Sequence, residues 1–506
     1  MLERNVLAVV LGLGLAGPVV AAAAAVARVA SVSRALIWTV AGVLIAGAFT
    51  AVWRLRRQFP ASLDGAARRQ RLRTGLWLAL ALVALVQLGR LSAFMADPGN
   101  TFGSAFPDRD LTKHMCLPAY VQAAALARDG DTNVYEDRHW PAFRQGEDKL
   151  GGYSPVAELG PHLLDPYEYP PQFLLLPRLA LALTNHFLII RSVWFAFEST
   201  VFLGIALLLA GHIGEREGLV VGLLVPALFA SLSLLVNLQW GQAHVLTLTL
   251  AMGALVAFRR GHAPLGGALL AAAALFKLFP GLLLLYLILQ RRWRDVGWTV
   301  AGSIFLTLLA LAVFGVFPFE AFIEYQLPRI GNGDAFSFFH GRWIAVSRNL
   351  SVPGVVFKLG LLGAPAMTNA LANEVGWIYT LLLVMLVARA AGQRDRSALD
   401  EALLWLGVLC LGSLRSPLAP GIYVGLGGLW ILTLFASRAK RARDVLFVAL
   451  GFWLIPGGPP LPNRTADVAV AFLGQVWMML VGFRAVWQSG RSTVPEPATD
   501  ALAPLS

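Results

Sequence analysis

The chain has 506 residues, of which 57% are hydrophobic and 14% are charged, and its mean hydropathy is +0.66. Soluble domains carry roughly a quarter charged residues, so this composition excludes a soluble protein and indicates a polytopic α-helical membrane protein. The formal charge of +12 does not indicate nucleic-acid binding, because the arginines gather in short loops between apolar runs, where they set membrane topology.

The apolar runs predict about twelve spans in one integral membrane domain of residues 1–488, followed by a disordered cytoplasmic tail of residues 489–506. The first run extends to about residue 27 and a second run follows it, which favours an uncleaved first helix over a signal peptide. The positive-inside rule places the arginine-rich loop of residues 54–73 in the cytoplasm. The helix at about residues 76–94 then leaves the cytoplasm.

The longest polar interruption, residues 97–171, is therefore predicted to be an outer loop. It contains Asp108-Arg109-Asp110, and Asp110 heads a predicted amphipathic helix at residues 111–126. The spacing of Asp108 and Asp110 occurs at divalent-cation sites, but Arg109 between them fits a plain ion pair equally well. A divalent metal thus has no further support from the sequence, and no cofactor is predicted.

The next notable run, residues 264–290, follows spans predicted at about 186–210, 218–236 and 241–258. Arginines flank this run at both ends, so both ends are predicted to be cytoplasmic. Pro280 interrupts helical hydrogen bonding near the middle, which favours two half-helices with Lys277 near their tip. The alternative is one kinked helix whose Lys277 reaches the membrane interface.

A second large outer loop is predicted at about residues 318–352, after a span at 296–316. Residues 355–367 are predicted to form a partial or interfacial element. The remaining spans are predicted at residues 375–391, 403–414, 422–435, 445–455 and 468–487.

The outer loops collect carboxylates, histidines and arginines, a set that suits a reaction in which one group deprotonates a hydroxyl while cations hold a phosphate. The sequence has no Gly-rich phosphate loop and no His-Glu-x-x-His motif, so a nucleotide-sugar or ATP enzyme is unsupported. The two cysteines, Cys116 and Cys410, have no spacing that predicts a disulfide or a metal site.

Five short motifs follow one another between residues 108 and 420, and in this order they resemble the family 87 glycosyltransferases of the GT-C superfamily. That family consists of polytopic enzymes that use polyprenyl-phosphate sugars. The motifs are Asp110 with its helix and the turn Gly130-Asp131-Thr132-Asn133-Val134-Tyr135, then Tyr169-Pro170-Pro171, Gly241-Gln242, Lys277-Leu278-Phe279-Pro280, and Asn349-Leu350-Ser351.

The resemblance implies an all-α GT-C-type bundle and an inverting transfer of a hexose, mannose-like, to a lipid or glycan acceptor on the outer face. Asp110 matches the catalytic base, Asp108 is the alternative, and His340 is a further catalytic candidate. The candidates for binding the donor, its phosphate above all, are Lys277, Arg342, Arg348, Asn349, Arg415, Tyr169 and Gln242.

One departure from the family pattern concerns the late outer loop. Many relatives have an aromatic residue or histidine after Ser-Pro, whereas this chain has Arg415-Ser416-Pro417-Leu418. The acceptor and the sugar therefore stay open at this point.

The predicted partners are the polyprenyl-phosphate donor, a lipid or glycan acceptor and membrane lipids, without nucleic acid. The predicted location is the bacterial plasma (inner) membrane with the active site facing outward. The alternative function is a transporter or flippase of lipid-linked sugars, because such proteins also use broken helices and intramembrane cations.

Overall fold

The computed structural model of the chain describes residues 2–29, 33–56, 63, 71–105, 114–128, 132–140, 163–164, 166–339, 343–365, 367–393, 396–456 and 461–488. These residues are mostly helical, and a short parallel pair of strands, β1 (His114–Met115) and β2 (Leu163–Leu164), joins two parts of the segment predicted to be the first outer loop. The predicted fold class, an all-α polytopic membrane protein, is confirmed. The GT-C-type arrangement of the bundle stays a prediction.

The first half of the chain forms nine α-helices within the described residues. A 3₁₀ turn at Pro171–Leu174 leads into the fifth of them. The helices are α1 (Leu2–Val29), α2 (Arg34–Leu55), α3 (Arg71–Ala96), α4 (Leu117–Arg128), α5 (Leu175–Leu183), α6 (Phe187–Ile213), α7 (Glu215–Phe229), α8 (Leu232–Trp240) and α9 (Ala243–Arg259).

The second half alternates long helices with the short elements of the second outer loop. That loop contains a π-helical turn at Phe322–Gln326 and a 3₁₀ turn at Asp334–Phe339. The helices are α10 (Ala263–Phe276), α11 (Gly281–Leu289), α12 (Trp293–Phe314), α13 (Phe317–Ala321), α14 (Leu327–Asn332), α15 (Trp343–Ser347), α16 (Gly354–Leu361), α17 (Asn369–Ala391), α18 (Ala398–Ser413), α19 (Gly421–Arg438), α20 (Ala442–Leu454) and α21 (Arg464–Gln488).

Eight helices of the described chain are long and apolar enough to cross a membrane, and the bent pair α7–α8 makes a ninth span if it is counted as one. The eight are α1, α2, α3, α6, α12, α17, α19 and α21. Three further predicted spans coincide with α9, α18 and α20, which have 17, 16 and 13 residues. Since a perpendicular span needs roughly 20 residues, the number of about twelve stays a prediction.

One predicted span is bent, contrary to the expectation of a continuous helix at residues 218–236. Helices α7 and α8 meet at an angle of 62°. Ser231 begins the second helix, because its hydroxyl accepts a hydrogen bond from the Leu234 amide at 3.3 Å. An N-cap of this kind satisfies an amide that the preceding helix no longer can, so the chain restarts in a new direction.

The helix of the first outer loop also differs from its prediction. It begins at Leu117 rather than near residue 111, and every residue from Leu117 to Ala127 is buried. The predicted amphipathic pattern is therefore wrong for this segment. Its many alanines allow neighbours to approach on all sides, and a helix that is buried all round needs no polar face.

A cluster of basic residues and carboxylates holds several helix ends together at one end of the bundle. Glu401, at the start of α18, is 1% exposed and binds both Arg259 at the end of α9 and Arg292 before α12. Arg438, at the end of α19, pairs with Asp400 and Glu217. We call this end of the molecule the basic end.

Helices α10 and α11 lie between the two arginines that bind Glu401. A Cβ atom built on Gly267 would lie 2.5 Å from the carbonyl carbon of Trp298, and one on Gly302 would lie 3.1 Å from the Ala271 Cβ. The residue numbers at these contacts rise together along α10 and α12, so the two helices run in the same direction. Since both helices begin at the basic end, α11 brings the chain back to that end between them. Small residues at these contacts permit the close approach.

The tip of this helical hairpin, residues 277–280, lies at the opposite end from Glu401. A Cβ atom on Gly412, near the end of α18, would lie 3.4 Å from the Phe279 Cβ. Helix α10 has 14 residues and is thus about 21 Å long. Insertion of the hairpin into a bilayer as a re-entrant element stays a prediction.

We expect Glu401→Gln to lower the free energy of unfolding by about 1–3 kcal/mol, because two arginines lose the buried carboxylate between them. The matched control is Glu217→Gln. That carboxylate is 38% exposed, so its pair with Arg438 is expected to contribute less than about 1 kcal/mol. Thermal unfolding midpoints in detergent measure both. Equal midpoints for the two variants would contradict the role given to Glu401.

Candidate active site

The candidate site is organised by the turn between α8 and α9. Gly241 adopts the left-handed conformation with φ 61° and ψ 40°, and the amides of Gly241 and Gln242 donate to the Asn237 carbonyl. A Cβ atom on Gly241 would lie 2.9 Å from the Leu117 Cβ. Glycine is therefore required here both by the backbone conformation and by the contact with α4.

Gln242 is the hub of a hydrogen-bonded group of side chains from distant parts of the chain. Its Oε1 atom lies 2.8 Å from the Tyr169 hydroxyl and 3.1 Å from the Tyr120 hydroxyl. The two hydroxyls are 2.9 Å apart, and the Gln242 Nε2 donates to the Cys116 Sγ at 3.3 Å. Burial raises the pKa of the Tyr120 phenol well above its ordinary value, so this hydroxyl stays protonated at neutral pH.

Lys277, at the tip of the α10–α11 hairpin, adds a cation to this group. Its Nζ lies 5.3 Å from the ring centroid of Tyr169, within the range of a cation–π contact. Phe276 and Phe173 pack edge to face beside it, with centroids 5.2 Å apart. Lys277 makes no hydrogen bond or ion pair with the part of the chain that the structure describes, and the residue is only partly buried. We call Tyr120, Tyr169, Gln242 and Lys277 the polar centre.

His244 lies in the first turn of α9, two residues after Gln242. Its side chain is 1% exposed, and its ring centroid is 5.7 Å from that of Phe279 at the hairpin tip. Its Nε2 atom has no hydrogen-bond partner among the described residues. His244 thus packs against the tip that carries Lys277.

The segment that contains Asp108 and Asp110 lies outside the described residues, but both of its flanks are described. On the first flank, the Ala105 amide donates to Gln239 Oε1 at 2.7 Å, and the Ser104 hydroxyl does so at 3.1 Å. On the second flank, the Cys116 amide donates to the Trp240 carbonyl at 3.0 Å. The chain therefore enters and leaves this segment at the turn that carries Gln242.

The two large outer loops are linked to each other beside the polar centre. Arg329 pairs with Asp137 at 2.9 Å, and Gln326 donates to the Glu168 carboxylate. The Tyr135 hydroxyl donates to the Tyr169 carbonyl at 3.0 Å. These contacts fix the backbone of Tyr169, whose side chain belongs to the polar centre.

Arg348 and Asn349, two predicted donor contacts, lie in a neighbouring network of buried polar groups. Arg348 forms an ion pair with Asp467, which is fully buried, and the Ser347 hydroxyl donates to the same carboxylate at 2.6 Å. Asn349 donates to the Pro417 carbonyl at 2.8 Å and accepts from the Ala419 amide at 2.7 Å. Their predicted contact with the donor stays a prediction.

Arg415 lies at the entrance to α19, close to the start of α17. Its Nε donates to the Thr380 hydroxyl at 2.6 Å, and its guanidinium lies 5.4 Å from the Trp377 ring centroid. Burial lowers the pKa of Arg415 from its ordinary value, but a guanidinium stays charged at physiological pH.

The remaining predicted residues, His340 and Arg342, lie outside the described residues, as do Asp108 and Asp110. Of the other six, the structure brings Tyr169, Gln242 and Lys277 together. Sequence analysis missed Tyr120 and Cys116 as partners of this group. The signal available for both was their place in the segment that follows Asp110, part of the first motif.

No group of three or more histidine, cysteine, aspartate or glutamate side chains that could hold a metal ion occurs among the described residues. Because Asp108 and Asp110 lie outside this part of the chain, the prediction that no cofactor is used stays a prediction.

Comparison with known proteins finds a match to one family. The profile of glycosyltransferase family 87 matches residues 167–417, a region that contains the α8–α9 turn, Lys277 and Arg415. A polyprenol-phosphate-mannose-dependent alpha-(1-2)-phosphatidylinositol mannoside mannosyltransferase of Mycolicibacterium smegmatis is 25% identical over 287 residues, which cover 54% of this chain and 59% of that protein.

Relatives with a different name also match. A triacylglyceride transporter of Mycobacterium tuberculosis and a probable one of Mycobacterium bovis are each 25% identical over 321 residues. The match covers 53% of this chain and 56% of each relative. The chain thus spans little more than half the length of the relatives it matches. No solved structure matches it.

Gly241→Ala tests the packing of the turn, and Gly261→Ala is its matched control. Both glycines have positive φ, 61° and 80°, but a Cβ atom on Gly261 would meet nothing within 4 Å. Each substitution should cost about 1–2 kcal/mol through backbone strain. The contact with Leu117 should add about 1–3 kcal/mol for Gly241→Ala alone. Thermal unfolding measures the difference, and equal losses would contradict the packing argument.

Proposed function

We propose that the chain transfers a hexose from a polyprenyl-phosphate sugar to an acceptor hydroxyl, as expected of glycosyltransferase family 87, whose profile matches residues 167–417. The single observation that carries the proposal is Lys277, a cation without a carboxylate partner among the described residues, beside Tyr169 and Gln242. A lysine at membrane depth is costly and marks a functional site by default.

The polar centre suits the sugar phosphate of the donor. The ammonium of Lys277 can donate to phosphate oxygens, and an interior with little water strengthens that interaction relative to solvent. The hydroxyls of Tyr120 and Tyr169 and the amide of Gln242 can bond sugar hydroxyls. The aromatic and aliphatic side chains of the α10–α11 hairpin offer an apolar surface for the polyprenyl chain.

Asp110 is the proposed base. In the reaction, the acceptor oxygen forms a bond to the anomeric carbon while the bond from that carbon to the phosphate oxygen breaks. The acceptor proton goes to the Asp110 carboxylate, and the phosphate leaves with the electron pair of the broken bond. Lys277 stabilises the charge that develops on the phosphate. Attack opposite the leaving group inverts the anomeric configuration.

The similarity to the mannosyltransferase favours mannose as the sugar and a mannosylated phosphatidylinositol as the acceptor. The arginines of the basic end favour a cytoplasmic position for that end, so the polar centre faces outward across the membrane. We therefore propose a bacterial inner-membrane enzyme with its active site on the outer face.

Transport of a lipid is the second candidate function. It is favoured by the relatives named as triacylglyceride transporters and by the broken helix at the hairpin tip, a feature that transporters use at their binding sites. Purified protein in vesicles separates the two functions. Movement of a lipid-linked sugar between leaflets without formation of a glycosylated product would favour transport over transfer.

Asp110→Asn is expected to lower kcat at least about 100-fold, because the amide cannot accept the acceptor proton. The donor KM should stay within about twofold. The matched control is Asp97→Asn in the same outer loop. Asp97 is 43% exposed and pairs with Arg28 at 2.9 Å, so its loss should leave transfer nearly unchanged. Radiolabelled mannose transfer from polyprenyl phosphate measures both variants. Full activity of Asp110→Asn would overturn the assignment of the base.

Lys277→Gln is expected to raise the donor KM about 10- to 100-fold, because a charge-assisted hydrogen bond contributes about 1.5–3 kcal/mol. Lys277→Arg keeps the charge and should lose less. The control is Lys440→Gln, an exposed lysine after α19 at the basic end. The same transfer assay, with donor concentration varied, measures each variant. An unchanged donor KM for Lys277→Gln would remove Lys277 from the donor site.

A further inference from the structure

A small open cleft lies at the end of the molecule opposite the basic end. It is bounded by the starts of α16 and α17, the end of α14 and the segment before α19. Three amide side chains and one guanidinium line it, together with apolar groups of which Phe357 is the largest. The polar residues are Asn332, Asn369, Asn373 and Arg415.

The polar groups of the cleft retain hydrogen-bonding capacity. Asn369 and Asn373 are four residues apart at the start of α17 and thus lie on one face of the helix. The Asn373 Oδ1 atom is buried and has no partner among the described residues. Asn332 is already bonded to Asp334, at 2.7 Å from its Nδ2.

Arg415 is positioned by its contacts with α17, and part of its guanidinium stays available. Its Nε is used by Thr380, whereas its two terminal nitrogens make no hydrogen bond to the described residues. A Cβ atom on Gly376 would lie 2.9 Å from the Arg415 Nη1, so the glycine leaves the space in which the guanidinium lies. The described lining of the cleft contains no carboxylate.

This chemistry fits the hydroxyl-rich headgroup of an anionic glycolipid. Carboxamides donate to and accept from sugar hydroxyls at the same time, and the apolar lining can contact the carbon face of a sugar ring. A guanidinium without a carboxylate neighbour suits an anionic group such as a phosphodiester.

The cleft and the polar centre are close neighbours without sharing lining residues. The Arg415 amide donates to the Gly412 carbonyl at 3.1 Å, and Gly412 faces Phe279 at the hairpin tip. One helical turn thus separates the cleft from the segment that carries Lys277.

We infer that the cleft formed by Asn369, Asn373 and Arg415 binds the headgroup of an anionic glycolipid acceptor. The inference rests on the proposed function and gives that function its acceptor subsite. It assigns Arg415 to the acceptor, in place of the donor phosphate that sequence analysis suggested for it.

The test uses the purified full-length protein, polyprenyl-phosphate mannose as donor, and two acceptor probes: a mannosylated phosphatidylinositol, which is anionic, and octyl α-mannoside, which is neutral. Asn373→Ala and Asn369→Ala should each raise the KM for both acceptors about 10-fold and leave the donor KM within about twofold. Arg415→Gln should raise the KM for the anionic acceptor at least fivefold more than that for the neutral one.

Glu374→Gln is the matched control, because Glu374 lies next to Asn373 on α17 but is exposed away from the cleft. It should keep both KM values. Thermal midpoints confirm that each variant is folded, and Asn369→Ala provides the test if Asn373→Ala does not fold.

The outcomes distinguish a failure of the acceptor-cleft inference from a failure of the proposed function. Wild-type protein that transfers no mannose to either probe would overturn the proposed function. Wild-type transfer together with unchanged acceptor KM values in both asparagine variants would overturn the acceptor cleft alone. A rise confined to the donor KM would assign the cleft to the donor and would also overturn the inference.

Discussion

The ion pairs of Glu401 with Arg259 and Arg292 are the constraint on which the arrangement of the site depends. They bring the two ends of the apolar segment at residues 264–290 to the same end of the bundle. The chain between them must therefore travel away from the basic end and return, as α10 and α11 do. The parallel packing of α10 on α12 fixes the direction in which α10 leaves the basic end. Lys277 is carried to the far end of the bundle as a result.

At that far end, elements from distant parts of the sequence meet around the tip. The α8–α9 turn supplies Gln242, and the first outer loop supplies Tyr120 and Tyr169. The same turn holds both flanks of the segment that contains Asp110. One turn with a left-handed glycine thus connects the predicted base to the cation expected to hold the phosphate. Burial of Tyr120 and Gln242 strengthens their hydrogen bonds relative to the same bonds in water.

Much of the fold was predictable because apolar runs and flanking arginines can be recognised in short stretches of the sequence. Pro280 and the flanking arginines predicted the break at Lys277, and the gap between the spans predicted at residues 218–236 and 241–258 placed a connection just before Gly241. The partners of Glu401 and Asp467 were not predictable, because each pair joins residues more than 100 positions apart. Arg348 illustrates the limit: its charge suggested a phosphate contact, but no local pattern indicated that a buried carboxylate of α21 lies beside it. Helix α4 shows the same limit, since burial on all sides depends on neighbours that the sequence does not name.

The central claim is that the donor phosphate binds at the hairpin tip beside Tyr169 and Lys277. The most direct measurement is photo-crosslinking of the purified protein with a polyprenyl-phosphate mannose analogue that carries a diazirine on its first isoprene unit. Mass spectrometry then identifies the labelled peptides. The account predicts labelling within residues 167–183 and 276–290, suppressed by excess unlabelled donor. Donor-suppressible labelling confined to peptides outside these two ranges would contradict it.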